Sequence, residues 1–136
     1  MVGIDFVGIR FASRLDTMSK PISRPMHGVL DYGYAAAIAA SPELLGFKDQ
    51  PTATLLCRAV GASTLVASLF TRYELGLVRV LPFKLHLAAD ALTGVASLGA
   101  PWLLGFAQNS KARNAFLGFG VLALVVGALT QSDEME

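Results

Sequence analysis

Apolar residues in this chain fall into four long blocks, not stripes: roughly 27–47, 52–71, 82–106 and 112–130. A block of roughly 20 apolar residues is long enough to cross a bilayer as a helix. Residues 1–20 are different. Ile4, Val7, Phe11, Leu15 and Met18 recur at helical spacing, with Asp5, Arg10, Arg14, Asp16 and Lys20 mostly elsewhere on the wheel. That pattern predicts a short amphipathic helix lying on a membrane surface, broken from the first apolar block by Pro21 and Pro25. Lys48-Asp49-Gln50-Pro51 and Gln108-Asn109-Ser110-Lys111 read as turns. Residues 72–81 form a connector apolar enough to hug the interface. The pattern therefore predicts an all-α membrane protein with four transmembrane helices and an N-terminal amphipathic interfacial helix.

Composition agrees. The chain is 54% hydrophobic and 15% charged, against about a quarter charged in ordinary domains. At 136 residues it is expected to hold one domain. The net charge of +1 names no partner, and no basic patch points to nucleic acid. Cys57 stands alone, which excludes an intrachain disulfide. The first apolar stretch is interrupted by Asp5 and Arg10 and lacks a basic start, so a secretory leader is not expected. Arg10, Arg14, Lys20, Arg24, Arg72, Arg79 and Lys84 fall on the side of the termini; Lys48, Arg58, Lys111 and Arg113 fall on the other. Seven against four places both termini in the cytoplasm.

Sliding the chain against itself by 59 residues adds a symmetry. His27 lands on His86, Asp31 on Asp90 and Pro42 on Pro101. Leu44-Leu45-Gly46-Phe47 lands on Leu103-Leu104-Gly105-Phe106. The register continues through Gly61 on Gly120 and Thr71 on Thr130. The expected organisation is an amphipathic segment over 1–22 and two-helix repeats over 23–76 and 82–135, with 23–130 forming one four-helix transmembrane domain. A two-helix unit returns to its starting side, so the tandem copies run parallel, related by a two-fold along the membrane normal.

Ser41-Pro42-Glu43 before Leu44-Leu45-Gly46-Phe47, and Ala100-Pro101-Trp102 before Leu103-Leu104-Gly105-Phe106, resemble the SPW-repeat family of small bacterial membrane proteins. Glu43 replaces the motif's Trp in the first copy, and Ala100 its Ser in the second. His27-Gly28-Val29-Leu30-Asp31-Tyr32 and Tyr73-Glu74-Leu75-Gly76 also look like bacterial members. The resemblance covers residues 24–130. It implies a multi-pass protein of the bacterial inner membrane and supplies no activity, because the family is named for a motif.

The candidate chemistry is two His-x3-Asp sets, His27 with Asp31 and His86 with Asp90. Residues four apart share a helix face, and ionisable groups inside a span usually face the bundle interior. One reading makes them helix-end locks in a structural or interaction protein. Duplication copies such a feature as readily as a ligand set, so this reading leads. The other makes them a ligand site: a metal held by imidazole and carboxylate, a proton relay, or bis-histidine haem ligation. Convergence of the two faces distinguishes the readings.

The remaining features read as architecture. Pro42 and Pro101 kink or end their helices. Gly46 and Gly105 suit the position after a helix end, and Trp102 an interfacial anchor. Glu43 and Arg58 can pair at the outer face. Gly61, Gly120 and Gly127 let helices approach closely. Tyr73-Glu74, Arg79 and Lys84 lie at the His/Asp level and can neutralise the aspartates. No phosphate loop, zinc spacing or nucleophile elbow is present. No residue is given a catalytic role, and the balance is against an enzyme. The expected partners are the lipid bilayer and either a second copy of the chain or another membrane protein.

Overall fold

The computed structural model describes residues 20–136. The expected amphipathic segment lies almost wholly outside the described residues. Among those residues there are four α-helices: α1 (Arg24–Leu44), α2 (Pro51–Phe70), α3 (Phe83–Leu103) and α4 (Ser110–Leu129). Each limit in the second pair follows its counterpart in the first by 59 residues. At 1.5 Å per residue each helix is about 30 Å long, the thickness of a bilayer's hydrocarbon core. Two of the four, Pro51–Phe70 and Ser110–Leu129, are long and apolar enough to cross a membrane, and each is only 22% buried within the protein. The outward faces of all four helices carry exposed large apolar residues, among them Leu30, Leu55, Leu92 and Val121.

The helix starts follow from local chemistry. The first N–H groups of a helix have no intrahelical acceptor. Ser23 accepts from Met26 N, Gln50 from Thr52 N and Asn109 from Ala112 N. Pro25 does not break α1 from its lead-in; it sits in the first turn, where a missing N–H costs nothing. α1 accordingly begins three residues before the expected His27. α3 has no side-chain cap of its own. Glu134 supplies one from the chain's end, its two oxygens accepting Phe83 N and Lys84 N at 2.9 Å each. A carboxylate is well placed at this positive end of the helix dipole.

The helix ends explain the Pro-Leu-Leu-Gly-Phe stretches. Gly46 and Gly105 adopt φ of +71° and +75°, and Phe47 N and Phe106 N reach back to the carbonyls of Pro42 and Pro101 at 2.9 Å. That six-to-one bond closes a Schellman end and tucks Phe47 and Phe106 into the core. Pro42 has no N–H for the Ile38 carbonyl, and the Ser41 hydroxyl donates to that carbonyl instead, at 2.8 Å. Both helices run to the Leu two residues past the proline, so neither ends early.

The helices pack as two hairpins. In α1–α2, Gly61 lies against Ala35 and Ala39; in α3–α4, Gly120 lies against Gly94 and Leu98. These contacts are internal to the chain. Between hairpins the contact is sparser. One link is an apolar cluster holding Ile38, Phe47, Cys57, Phe106 and Phe116. Another is a pair of crossed backbone bridges, Ile22 with Thr130 and Thr71 with Leu81. Each joins the residues entering one hairpin to the residues leaving the other. Glu43 and Arg58 do pair, at the exposed end of the first hairpin.

A side chain at position 61 would meet the Ala35 carbonyl oxygen at 2.8 Å, whereas position 127 has open space. Gly61→Val is expected to destabilise the folded chain by about 1–3 kcal/mol, as overpacking does. Gly127→Ala should leave stability level or slightly raised. Thermal midpoints of purified protein in one detergent check the contrast.

Candidate functional site

The two His/Asp faces converge. His27 Nε2 lies 3.2 Å from Asp31 Oδ1 and 3.1 Å from Asp90 Oδ2. His86 Nε2 lies 3.1 Å from Asp31 Oδ2 and 3.1 Å from Asp90 Oδ2. Each imidazole thus faces both carboxylates, one from its own helix and one from the other hairpin. One ligand atom from each residue falls within 4.8 Å of all the others. His27, Asp31 and His86 are buried, while the Asp90 side chain keeps 21% of its surface exposed.

The other ring nitrogens fix the protonation pattern. His27 Nδ1 lies 2.9 Å from Thr130 Oγ1, and His86 Nδ1 lies 2.7 Å from Thr71 Oγ1. Each threonine hydroxyl donates its single proton to a backbone carbonyl one turn earlier, Val126 O and Ala67 O, at 2.6 Å. Each oxygen can then only accept from the ring. Both histidines therefore carry Nδ1–H, and a neutral ring turns an Nε2 lone pair towards the aspartates. His86 Nε2 is buried without a hydrogen-bond partner among the described residues. It is 3.1 Å from both carboxylates, but its in-plane direction meets neither oxygen well.

Aromatic rings close the site. Phe83 stacks on His86 with centroids 6.2 Å apart and meets His27 edge-on at 5.4 Å. The buried Tyr73 donates its hydroxyl to Asp31 Oδ2 at 3.3 Å. Burial holds the Tyr73 phenol above its ordinary pKa, so this donor keeps its proton. Arg79 and Lys84, the cations expected to neutralise the aspartates, form no ion pair with them among the described residues. Arg79 turns back onto the carbonyls of Gly76 and Glu74. Arg24 grips Glu74 with two hydrogen bonds, 3.1 and 2.7 Å, and holds the Asp133 carbonyl at 2.8 Å. Among the described residues the ion-pair partners of Asp31 and Asp90 are the two histidines.

Other sequence-marked residues lie elsewhere. Pro42, Gly46, Phe47, Pro101, Gly105 and Phe106 build the opposite helix ends, and Trp102 there is 60% exposed. Thr71 and Thr130 are site residues that sequence reasoning took only as marks of the register. The signal was available: a hydroxyl pair at the same 59-residue offset, on the termini's side with the histidines.

The family model described as SPW repeat domain matches residues 25–130. The chain belongs to that family. Comparison with curated proteins and with solved structures gave no match.

Removing the ring's acceptor leaves a buried N–H unmatched, which costs about 1–3 kcal/mol. Thr71→Val and Thr130→Val are each expected to destabilise by that amount in detergent unfolding. Nitrogen-15 spectra of the wild type should show Nδ1–H on both rings. At the periphery, the hydrogen bonds from Arg24 lower the Glu74 pKa below its ordinary value. The stability this pair contributes is therefore present above the ordinary glutamate pKa and lost as pH falls through the lowered one. An NMR titration should place Glu74 below an ordinary glutamate and find it raised in Arg24→Gln.

Proposed function

We propose that this SPW repeat protein is a multi-pass membrane protein that binds one divalent transition-metal ion through His27, Asp31, His86 and Asp90. Its four helices act as spans in two tandem, parallel two-helix units, 23–76 and 82–135. The setting is the bacterial inner membrane, with both termini in the cytoplasm.

One observation carries the metal reading: one donor atom from each of His27, Asp31, His86 and Asp90 lies within 4.8 Å of the other three. With Nδ1–H committed to the threonines, neutral rings turn two Nε2 lone pairs towards the two carboxylates, while His27 Nε2 at 3.1 Å from Asp90 Oδ2 is placed to hydrogen-bond only if it carries a second proton; among the described residues no Lys or Arg pairs with either carboxylate. Positive charge must enter, as two extra ring protons or as an ion. Two protons would make a buried quartet of four charges, each costing several kcal/mol to desolvate. A divalent ion neutralises both carboxylates and leaves the rings neutral. The spacing supports this. A tetrahedral ion with bonds of about 2.0 Å sets its ligands about 3.3 Å apart, close to the 3.1–3.2 Å separating each Nε2 from each carboxylate. A hydrogen bond on the far ring nitrogen is the usual outer-shell support of a metal-bound histidine. Nitrogen and oxygen donors together suit zinc, iron or manganese better than magnesium or calcium.

Haem fits poorly. The two rings stand 5.5 Å apart and nearly perpendicular, with their Nε2 atoms turned towards shared carboxylates. A macrocycle has no slot between them. The helix-end lock remains the reading to which a metal-free protein would return.

Elemental analysis of purified protein equilibrated with zinc and then desalted decides the matter. One ion per chain is expected in the wild type and none in the double variant His27→Ala, His86→Ala. Thr71→Val and Thr130→Val should weaken affinity by about 10–100-fold while leaving the ligands in place. A wild type that retains no zinc, iron or manganese above the double variant would sink the proposal.

A further inference from the structure

Between α1 and α4, helices of different hairpins, runs a groove of ≈ 400 Å³ that also touches Thr64 of α2 and Thr93 of α3 and ends on His27, Asp31 and Asp90. Its size is that of a small-molecule site. Its walls are largely apolar: Leu30 and Gly33 on α1 face Leu122, Ala123 and Val126 on α4. Tyr34 and Phe119, edge to face at 5.4 Å, form another part of the wall. Thr64 and Thr93 add hydroxyls to this lining, and two further polar groups in it are left over. The Tyr34 hydroxyl is buried and has no hydrogen-bond partner among the described residues. All contacts of Asp90 with the imidazoles run through Oδ2, which leaves Oδ1 available on the one ligand side chain that is partly exposed. Tyr34 is three residues past Asp31 on the same helix face. Long helical side chains lean towards the N-terminus, which carries the Tyr34 hydroxyl back towards the aspartates.

We infer that this groove binds a long-chain alcohol from the bilayer, its hydrocarbon chain along α1 and α4 and its hydroxyl between Tyr34 and Asp90. A hydroxyl is the head that satisfies both leftovers at once: it accepts from the Tyr34 O–H and donates to Asp90 Oδ1. An anionic head is disfavoured, because it would be desolvated beside two carboxylates. A bare hydrocarbon leaves both polar groups unmatched. The groove also breaks the 59-residue register. Gly33, Phe119 and Leu122 line it, whereas the corresponding Leu92, Val60 and Ser63 do not; Tyr34 shares the lining with its counterpart Thr93, and Ala123 with Thr64. The two halves therefore differ in part of the groove's lining while both supply an aspartate, Asp31 and Asp90, to its end. This occupant does not require the metal, since neither Asp90 Oδ1 nor the Tyr34 hydroxyl is needed to hold an ion.

The probe is hexadecanol bearing a mid-chain diazirine, photolysed with the purified full chain in detergent and mapped by peptide mass spectrometry. Saturable labelling of residues 29–37 and 119–126 is expected, above that of the outer faces of α2 and α3. Unlabelled hexadecanol should compete about tenfold better than hexadecanoate or hexadecane, the weight of one good hydrogen bond. A Cβ at position 33 meets nothing within 4 Å, so Gly33→Leu starts from open space in the groove wall and should reduce labelling to the background of the outer faces. Tyr34→Phe, which removes only the hydroxyl, should abolish the advantage of the alcohol over the hydrocarbon. Uniform labelling of all four helices, equal competition by hexadecanoate, or an undiminished signal in Gly33→Leu would each overturn the inference. Chelator-treated protein should give the same pattern, so failure of the metal assay and failure of this one are separate results.

Discussion

Two crossed hydrogen bonds, His27 to Thr130 and His86 to Thr71, constrain everything else at the closed end of this molecule. Each runs from the first turns of one hairpin to the last residue of the other. The hairpins hold themselves together by close helix contact at Gly61 and Gly120, but they touch each other far less. Their relative placement therefore leans on a few directional contacts. The backbone bridges at Ile22–Thr130 and Thr71–Leu81 set the spacing, and the threonine hydroxyls then set the ring orientation. Because each hydroxyl spends its proton on its own helix, neither ring can rotate to offer Nδ1 as a lone pair. The direction of both Nε2 atoms is a consequence of how the helices end.

The opposite end solves a different problem. Proline inside a helix strands a carbonyl, and stranded carbonyls are costly away from water. The first hairpin answers with the Ser41 hydroxyl on Ile38 O. The second carries Ala100 at the matching position and cannot do the same. Ser-Pro followed by Leu-Leu-Gly-Phe is thus a helix-stop device: a serine that repairs what the proline removes, a glycine in the left-handed region, and a phenylalanine that closes the core. It lies at the far end of the helices from the His/Asp centre, so the motif that names the family builds the scaffold and not the site.

Much of this was legible in the amino-acid pattern, for identifiable reasons. Long apolar blocks and proline or glycine punctuation located four helices to within about three residues, since both signals are local. The identical offset of His, Asp and Pro picked out the site residues, because such matches are rare among apolar repeats. Convergence was not legible. Whether two helix faces meet depends on the crossing of hairpins, which rests on residues such as Ile22 and Leu81 that look like loop. The roles of Thr71 and Thr130 were hidden because a threonine at a helix end has many bland explanations. The expected neutralisation by Arg79 and Lys84 failed for a related reason. Shared depth in a sequence does not fix direction, and Arg79, with φ of +54°, turns its guanidinium onto the connector's own backbone.

The two halves differ most where the demands on them differ. A shared centre needs equal contributions, and His, Asp and the supporting Thr are identical in both. The groove beside Asp90 draws on unequal ones, with Gly33 and Leu122 in its wall where the other half holds Leu92 and Ser63. If both flanks opened equally, the polar centre would face the bilayer from two sides, and its desolvated carboxylates would lose the low-dielectric walls that strengthen their interaction with any cation. Phe83 and Tyr73 seal the centre above and beside His86, while Asp90 keeps an exposed edge towards Gly33 and Tyr34. Burial of His27, Asp31 and His86 beside a partly exposed Asp90 is what lets one polar centre be insulated and reachable together.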